Sequence, residues 1–176
     1  MHPSGLALRQ PAPEDAALDE RHLRNALGRF ATGVTVVTTR TADGKLEGLT
    51  ANSFSAVSLD PPIVLWSPRA SAPSLPSFEA AGHFAVNVLS ASQHGLCRRF
   101  ATPSRDKFES VEHAPGLGGC PLLAGALATF ECSTDSHVAG GDHVIFFGRV
   151  RRAAFADGAP LIFSAGTYGT HTPFGR

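Results

Sequence analysis

A short polar patch, Thr50-Ala51-Asn52-Ser53, interrupts two β-rich runs in the segment LEGLTANSFSAVSLDPPIVLWSPR at residues 46–69. Thr and Ser each bring one hydroxyl donor and two acceptor lone pairs, and Asn brings both kinds of group. On a strand, such short side chains let a large planar polar ligand approach the backbone closely. The same residue types also build ordinary turns, so the patch by itself leaves both readings open.

Other catalytic signatures are missing. No GxSxG elbow marks a hydrolase. No GxGxxG follows a strand and no GxxxxGK[ST] is present, so any nucleotide site must use another solution. Nothing singles out a carboxylate pair among the 15 acidic residues for glycoside chemistry. His137 and His143 lie six apart and do not make an HExxH pattern, so no metal site is expected. Cys97, Cys120 and Cys132 have neither CxxC nor zinc spacing, and buried free thiols are the expectation.

The elements that must position the patch are mostly strands. Asp19 to Ala31 has Leu23, Leu27 and Phe30 at helical spacing, with Asp19 as cap and Gly33 just past the end. Val34 to Thr39 is almost all β-branched and predicts a strand. Asp43-Gly44 predicts a hairpin turn into one long strand, Leu46 to Leu59, with a bulge near Asn52. Pro61-Pro62 ends that run, and Pro62 to Trp66 starts the next.

A short helix is expected from Ser74 to Gly82, a strand from Phe84 to Leu89, and a helix from Ser90 to Ala101 with Leu96 and Phe100 inward. Residues 102–120 read as a loop. Three strands follow, at Ala126–Val138, Asp142–Phe155 and Pro160–Phe163, with hairpin turns at Gly140-Gly141 and Asp157-Gly158. Hairpin-linked strands with a few short helices predict a mainly β fold, an antiparallel barrel rather than a doubly wound sheet.

The chain has 176 residues, which favours one domain: a flexible tail at 1–18 and a folded unit at 19–176. Lys and Arg equal Asp and Glu at 15 each, which argues against a nucleic-acid binder. No apolar run is long enough to span a membrane, and the N-terminus lacks the pattern of a signal peptide, so a cytoplasmic protein is expected.

Several segments in order resemble the short-chain NAD(P)H:flavin oxidoreductases, flavin reductase-like proteins with an FMN-binding split barrel. They are LRNALGRFATGVTVVTT, GLTANSFSAVSLDPPIVL, FAVNVLSASQHGLCRRFA, DKF, GGCPLLAGALATFEC and GDHVIFFGRV, with a Gly-x-Tyr at Gly166 to Tyr168. The resemblance covers about residues 22 to 168. It implies an antiparallel split β-barrel that binds FMN or FAD and uses NADH or NADPH as reductant. It also implies a homodimer that supplies reduced flavin to a separate oxygenase component.

Residue by residue, the resemblance places Thr50, Ala51, Asn52 and Ser53 at the flavin ring and ribityl chain. Ser67, Arg69 and Ser71 fall at its phosphate, where the spacing departs slightly from the family's, and an Arg fork suits phosphate oxygens. Lys107 and Phe108 fall near the flavin phosphate or the adenine side. A surface ion pair of Lys107 with Asp106 or Glu109 is the plain structural alternative. His143 falls beside nicotinamide and flavin, oriented by Asp142. Tyr168 falls at the nicotinamide or at the dimer partner. Arg98, Arg99, Arg105, Arg151 and Arg152 are candidates for an NADPH 2′-phosphate. A flavin carrier or redox sensor without fast turnover would need the same pocket and remains the alternative.

Overall fold

The structure is a computed structural model that describes residues 19–104 and 106–172. The expected tail at 1–18 lies outside those residues, as does Arg105. The chain runs α1 (Glu20–Leu27), β1 (Thr32–Gly33), β2 (Thr35–Arg40), β3 (Leu46–Ala51), β4 (Ser55–Leu59), β5 (Pro62–Trp66), α2 (Leu75–Ala80) and β6 (His83–Val88). Then come α3 (His94–Ala101), β7 (His113–Pro115), β8 (Pro121–Leu123), β9 (Ala128–Gly140), β10 (His143–Phe155), β11 (Ile162–Ser164) and β12 (Thr167–Gly169).

The architecture is mainly β and antiparallel, as expected. Seven strands form one sheet in the order β3-β2-β6-β9-β10-β5-β4. Its two edge strands, β3 and β4, are consecutive in sequence, joined only by Asn52, Ser53 and Phe54. Four peptide steps reach about 14 Å at most, so the edges must approach one another and the sheet must curl into a barrel. Because β3 and β4 are not hydrogen-bonded to each other, the barrel is split along that seam.

The single long strand expected over Leu46–Leu59 is therefore two strands on opposite edges. Short polar side chains at the break compete with the ladder for backbone groups. Thr35 Oγ1 donates to the Ala51 carbonyl at 2.7 Å. Ser53 Oγ accepts from Ser67 N at 2.8 Å and donates to Ser67 O at 3.1 Å. Ser67 follows β5, so Ser53 clasps the corner to the far edge of the sheet.

β2 is buried on both faces, which explains its β-branched run. Val37 joins an inner core with Val64, Trp66, Phe78, Phe84, Val86 and Phe146. Trp66 stacks on Phe146 at 5.3 Å and meets Phe78 edge-on at 4.9 Å. Val34 and Val36 join a second core under α3, with Leu89, Cys97, Phe100 and Leu161. Asn87 is fully buried and ties β8 to the sheet: its Nδ2 donates to Val36 O at 3.1 Å, and its Oδ1 accepts from Leu123 N at 2.8 Å.

Three local expectations change. The first helix ends at Leu27, with Gly28 as its C-cap, because glycine is a poor helix former. Its Leu23, Leu27 and Phe30 face outward, 40, 65 and 77% exposed. The Asp157-Gly158 turn does not make a hairpin, since β11 leaves to pair with β1 and β12 in a separate three-stranded sheet. The loop at 102–120 contains β7, which pairs with β8. The three cysteines are free and buried.

Gly48, in the middle of β3, lets α3 pack against the sheet. A Cβ there would sit 2.5 and 2.6 Å from the Phe100 ring and 3.2 Å from Phe108. Gly33, by contrast, has nothing within 4 Å. Gly48→Ala should therefore destabilise the fold by about 1–3 kcal/mol through overpacking. Gly33→Ala should stay within about 0.5 kcal/mol of the parent in urea unfolding. Equal midpoints for the two variants would contradict this packing.

Candidate active site

β3, the corner after it, the loop after β5 and the segment after α3 enclose a cavity of about 940 Å³. Volumes of roughly 300–1,000 Å³ are usual for cofactor and small-molecule sites. Of the positions singled out in the sequence, Thr50, Ala51, Asn52, Ser53, Ser67, Arg69, Ser71, Lys107 and His143 line it. Phe108, Asp142 and Tyr168 do not.

The hydroxyls on the wall already have work. Thr50 Oγ1 donates to the Cys97 carbonyl at 2.7 Å and so stitches β3 to α3. Ser53 forms the clasp to Ser67. Both oxygens keep acceptor capacity, but their first role is to fix the wall. Asn52 is exposed and makes no side-chain hydrogen bond among the described residues, so its amide is free to present a donor and an acceptor.

Lys107 is the half-buried cation of the cavity. Its Nζ donates to Gly48 O at 3.1 Å and to Phe100 O at 3.0 Å. Phe100 lies in the last turn of α3, where carbonyls lack helical partners. The ammonium thus caps α3 and ties it to β3 while keeping its third donor uncommitted. It forms no ion pair with Asp106 or Glu109. Burial holds its pKa below the ordinary 10.5, partly offset by the Glu47 carboxylate.

Arg69, Asp142 and His143 form a second polar group at the rim. The backbone of 68–70 pairs with 142–144 through Ala70 N to Asp142 O at 2.9 Å and Val144 N to Pro68 O at 3.0 Å. The two-residue turn Gly141-Asp142 between β9 and β10 uses a positive φ of 66° at Gly141. Asp142 then bonds His143 Nδ1 at 2.7 Å and meets Arg69 Nη1 at 3.5 Å. The His143 hydrogen bond, with the nearby charges of His143 and Arg69, holds the Asp142 carboxyl below its ordinary value. An ionised Asp142 can only accept, so Nδ1 carries the hydrogen and Nε2 is left free.

Phe108 packs edge-on against Phe100 at 5.0 Å, behind the cavity wall. Tyr168 lies on α3, beside His94 at 4.8 Å and Phe163 at 5.0 Å. The neighbouring Cys97 thiol, together with burial, pushes its phenol up to about 12. Arg99 donates to Glu109 O, Arg151 to Ser133, and Arg152 to Glu131, so none of these reaches the cavity.

The sequence reading missed the rest of the β3 wall, Lys45 to Leu49, and Pro103 and Ser104 opposite it. Glu47 is notable there, its side chain 14% exposed and paired with Lys45 at 2.5 Å. The interior glycine of β3 was the available signal, because strand glycines often mark close approach.

The Flavin reductase like domain matches residues 27–172 of the chain. The chain is 49% identical over 151 residues to the FMN reductase (NADH) SmoA of Agrobacterium fabrum, covering 86% of each. It is 41% identical over 153 residues to the reductase subunit HsaB of a flavin-dependent monooxygenase of Rhodococcus jostii, covering 86% of this chain and 78% of that one. In structure it is similar to the NADH:FAD oxidoreductase of Streptomyces globisporus in complex with NAD and FAD fragments. That likeness has a TM-score of 0.85 and 39% identity, over 94% of this chain and 98% of the other. With a barrel split at the same corner that builds its cavity, and with a family match over most of its length, this chain belongs to the flavin reductase-like family.

Proposed function

We infer that this protein is an NAD(P)H:flavin oxidoreductase that reduces FMN or FAD and supplies the reduced flavin to a partner monooxygenase. Its relatives are NADH-dependent flavin reductases and reductase components of such monooxygenases. The observation that carries the reading in this chain is the Lys107 ammonium, desolvated at the cavity wall with one donor uncommitted. A buried cation of this kind fits an anionic group.

The remaining donors fit a flavin too. The free Asn52 amide matches an edge that alternates donors and acceptors. Arg69 and Ser71 offer a fork and a hydroxyl to phosphate. Bound flavin supplies a hydride acceptor and the nicotinamide a hydride donor, so the protein's task is alignment. Asn52 and the clasped corner orient the planar ring. Lys107 and Arg69 hold the phosphate. His143, fixed by Asp142, presents Nε2 at the rim, and we assign it to the nicotinamide carboxamide.

A homodimer is part of this reading. Ile63 and Leu65 of β5 and Ile145 and Phe147 of β10 share one face of the sheet, since Leu65 and Phe147 are directly opposed. They belong to neither core cluster. Val138, opposite Ile145, is 48% exposed. His143 stands on the same face, so a second copy seated there would border the site. No helix among the described residues is long and apolar enough to cross a membrane, and we place the protein in the cytoplasm.

Absorbance at 340 nm, with NADH or NADPH and FMN or FAD in air, tests the activity. Rapid oxidation that requires added flavin is expected. Flavin binding without turnover in any combination would instead favour a carrier or sensor.

Lys107 gives a pH test. Only its protonated form attracts phosphate, and burial lowers its pKa. FMN affinity should therefore fall as pH rises, beginning below the range of a solvent-exposed lysine. Lys107→Arg, which stays charged, should flatten that fall. Lys107→Met should weaken FMN about 10- to 100-fold near neutral pH and leave riboflavin, which lacks the phosphate, much less affected. Fluorescence titration reads both, and equal losses for the two flavins would remove Lys107 from the phosphate. For the dimer, Phe147→Glu should yield monomers by light scattering, and an unchanged mass would move the interface elsewhere.

A further inference from the structure

Glu47 is the one acidic side chain among the described residues that line the cavity, set against three cations, Lys45, Arg69 and Lys107. His143 is the remaining titratable group of the lining. The flavin chemistry inferred for the cavity leaves this carboxylate without a task. Leu49 and Ala51, further along β3, pack into the inner core, so strand alternation puts Glu47 on the same inward face. Its side chain is 14% exposed. A carboxylate so placed is costly unless it is paired.

Its ion pair is with Lys45, at 2.5 Å, and that partner is 61% exposed. The negative pole of the pair therefore faces inward and the positive pole faces water. Glu47 makes no direct ion pair with Lys107 among the described residues. It acts on that lysine through space, favouring the charged ammonium.

We propose that Glu47 is an internal counter-ion that competes with the flavin phosphate for the lysines of the cavity and so keeps FMN exchangeable. The proposal rests on the reductase reading and deepens it. An anion seated on Lys107 enters the field of a carboxylate that water screens incompletely, and like charges repel there. The same carboxylate occupies Lys45, which is otherwise free to meet the phosphate. Both effects weaken binding at the phosphate end alone. A protein that hands reduced flavin to a separate oxygenase must let go of it in every cycle. A counter-ion that regains its lysines as the phosphate leaves favours that release.

The test compares FMN with riboflavin, which lacks the phosphate. Dissociation constants from fluorescence titration and release rates from stopped flow are measured for the parent, Glu47→Gln and Glu47→Asp. Because Glu47 also helps to hold the proton on Lys107, the comparison is made at mildly acidic pH, where the lysine keeps its charge with or without the carboxylate. Glu47→Gln should bind FMN about tenfold more tightly, through slower release, and riboflavin within about twofold of the parent. Glu47→Asp, which keeps the charge, should stay near the parent. A variant that merely loosens the fold weakens both flavins, so a gain confined to FMN does not come from damage. FMN affinity in Glu47→Gln equal to or below that of the parent would overturn the proposal, as would an equal gain for riboflavin.

Flavin binding without turnover would remove the reductase reading and leave this comparison intact. If the parent binds neither flavin, the reductase reading fails on its own, and inorganic pyrophosphate decides Glu47. By calorimetry, Glu47→Gln should then bind pyrophosphate about tenfold more tightly than the parent. Equal affinity, or no binding to either protein, overturns the proposal.

Discussion

Everything at the site depends on the corner where β3 passes into β4. A seven-stranded antiparallel sheet has two edges, and here three residues must carry the chain from one edge to the other. That covalent constraint curls the sheet more firmly than any single contact. It also leaves a seam, because the three linking residues turn the chain into a corner rather than a hairpin and β3 and β4 do not pair with each other. Ser53 makes the seam stable by bonding both backbone groups of Ser67. Each such bond contributes about 1 kcal/mol net, but leaving buried backbone groups unpaired would cost more. The polar patch of the sequence is thus structural first, and the cavity is what the structure leaves beside it.

The second dependency is electrostatic. The chain has no formal net charge, so nothing draws an anion to it from a distance. What it has is local. Lys107 is partly stripped of water and held between two carbonyls, while Arg69 is held loosely at the rim by Asp142. Burial makes Lys107 the more responsive of the two, because a desolvated cation gains more from an anionic ligand than an exposed one. The contacts that place it, Gly48 O and Phe100 O, also join β3 to α3. Gly48 is small so that Phe100 can come close, and the closeness brings the carbonyls within reach of one ammonium.

Much of this was legible in the sequence, and the failures have physical reasons. The β-branched run of β2, the Asp43-Gly44 turn and the Asp19 cap are local signals, and the structure follows them, while the turn expected at Gly140-Gly141 falls one residue later, at Gly141-Asp142. The division of residues 46–59 was not legible, because one strand and two strands have the same alternation. Only the pairing partners, far along the chain, separate them. β7, β8 and β12 have three residues each, too few to show a period. The outward turn of Leu23, Leu27 and Phe30 also lies beyond a helical pattern, which gives a stripe but not what covers it. Lys107 stood out because lysine is rare here, yet its partners are backbone carbonyls that no side-chain pattern encodes. Phe108 and Tyr168 sit beside the site in sequence logic and behind or outside it in space.

The most direct test is a crystal structure of the protein with FMN. The account predicts the ring against the Asn52–Ser53 corner, with its phosphate within hydrogen-bond reach of Lys107 or Arg69. Flavin bound away from the seam between β3 and β4, with Lys107 touching no part of it, would contradict the account.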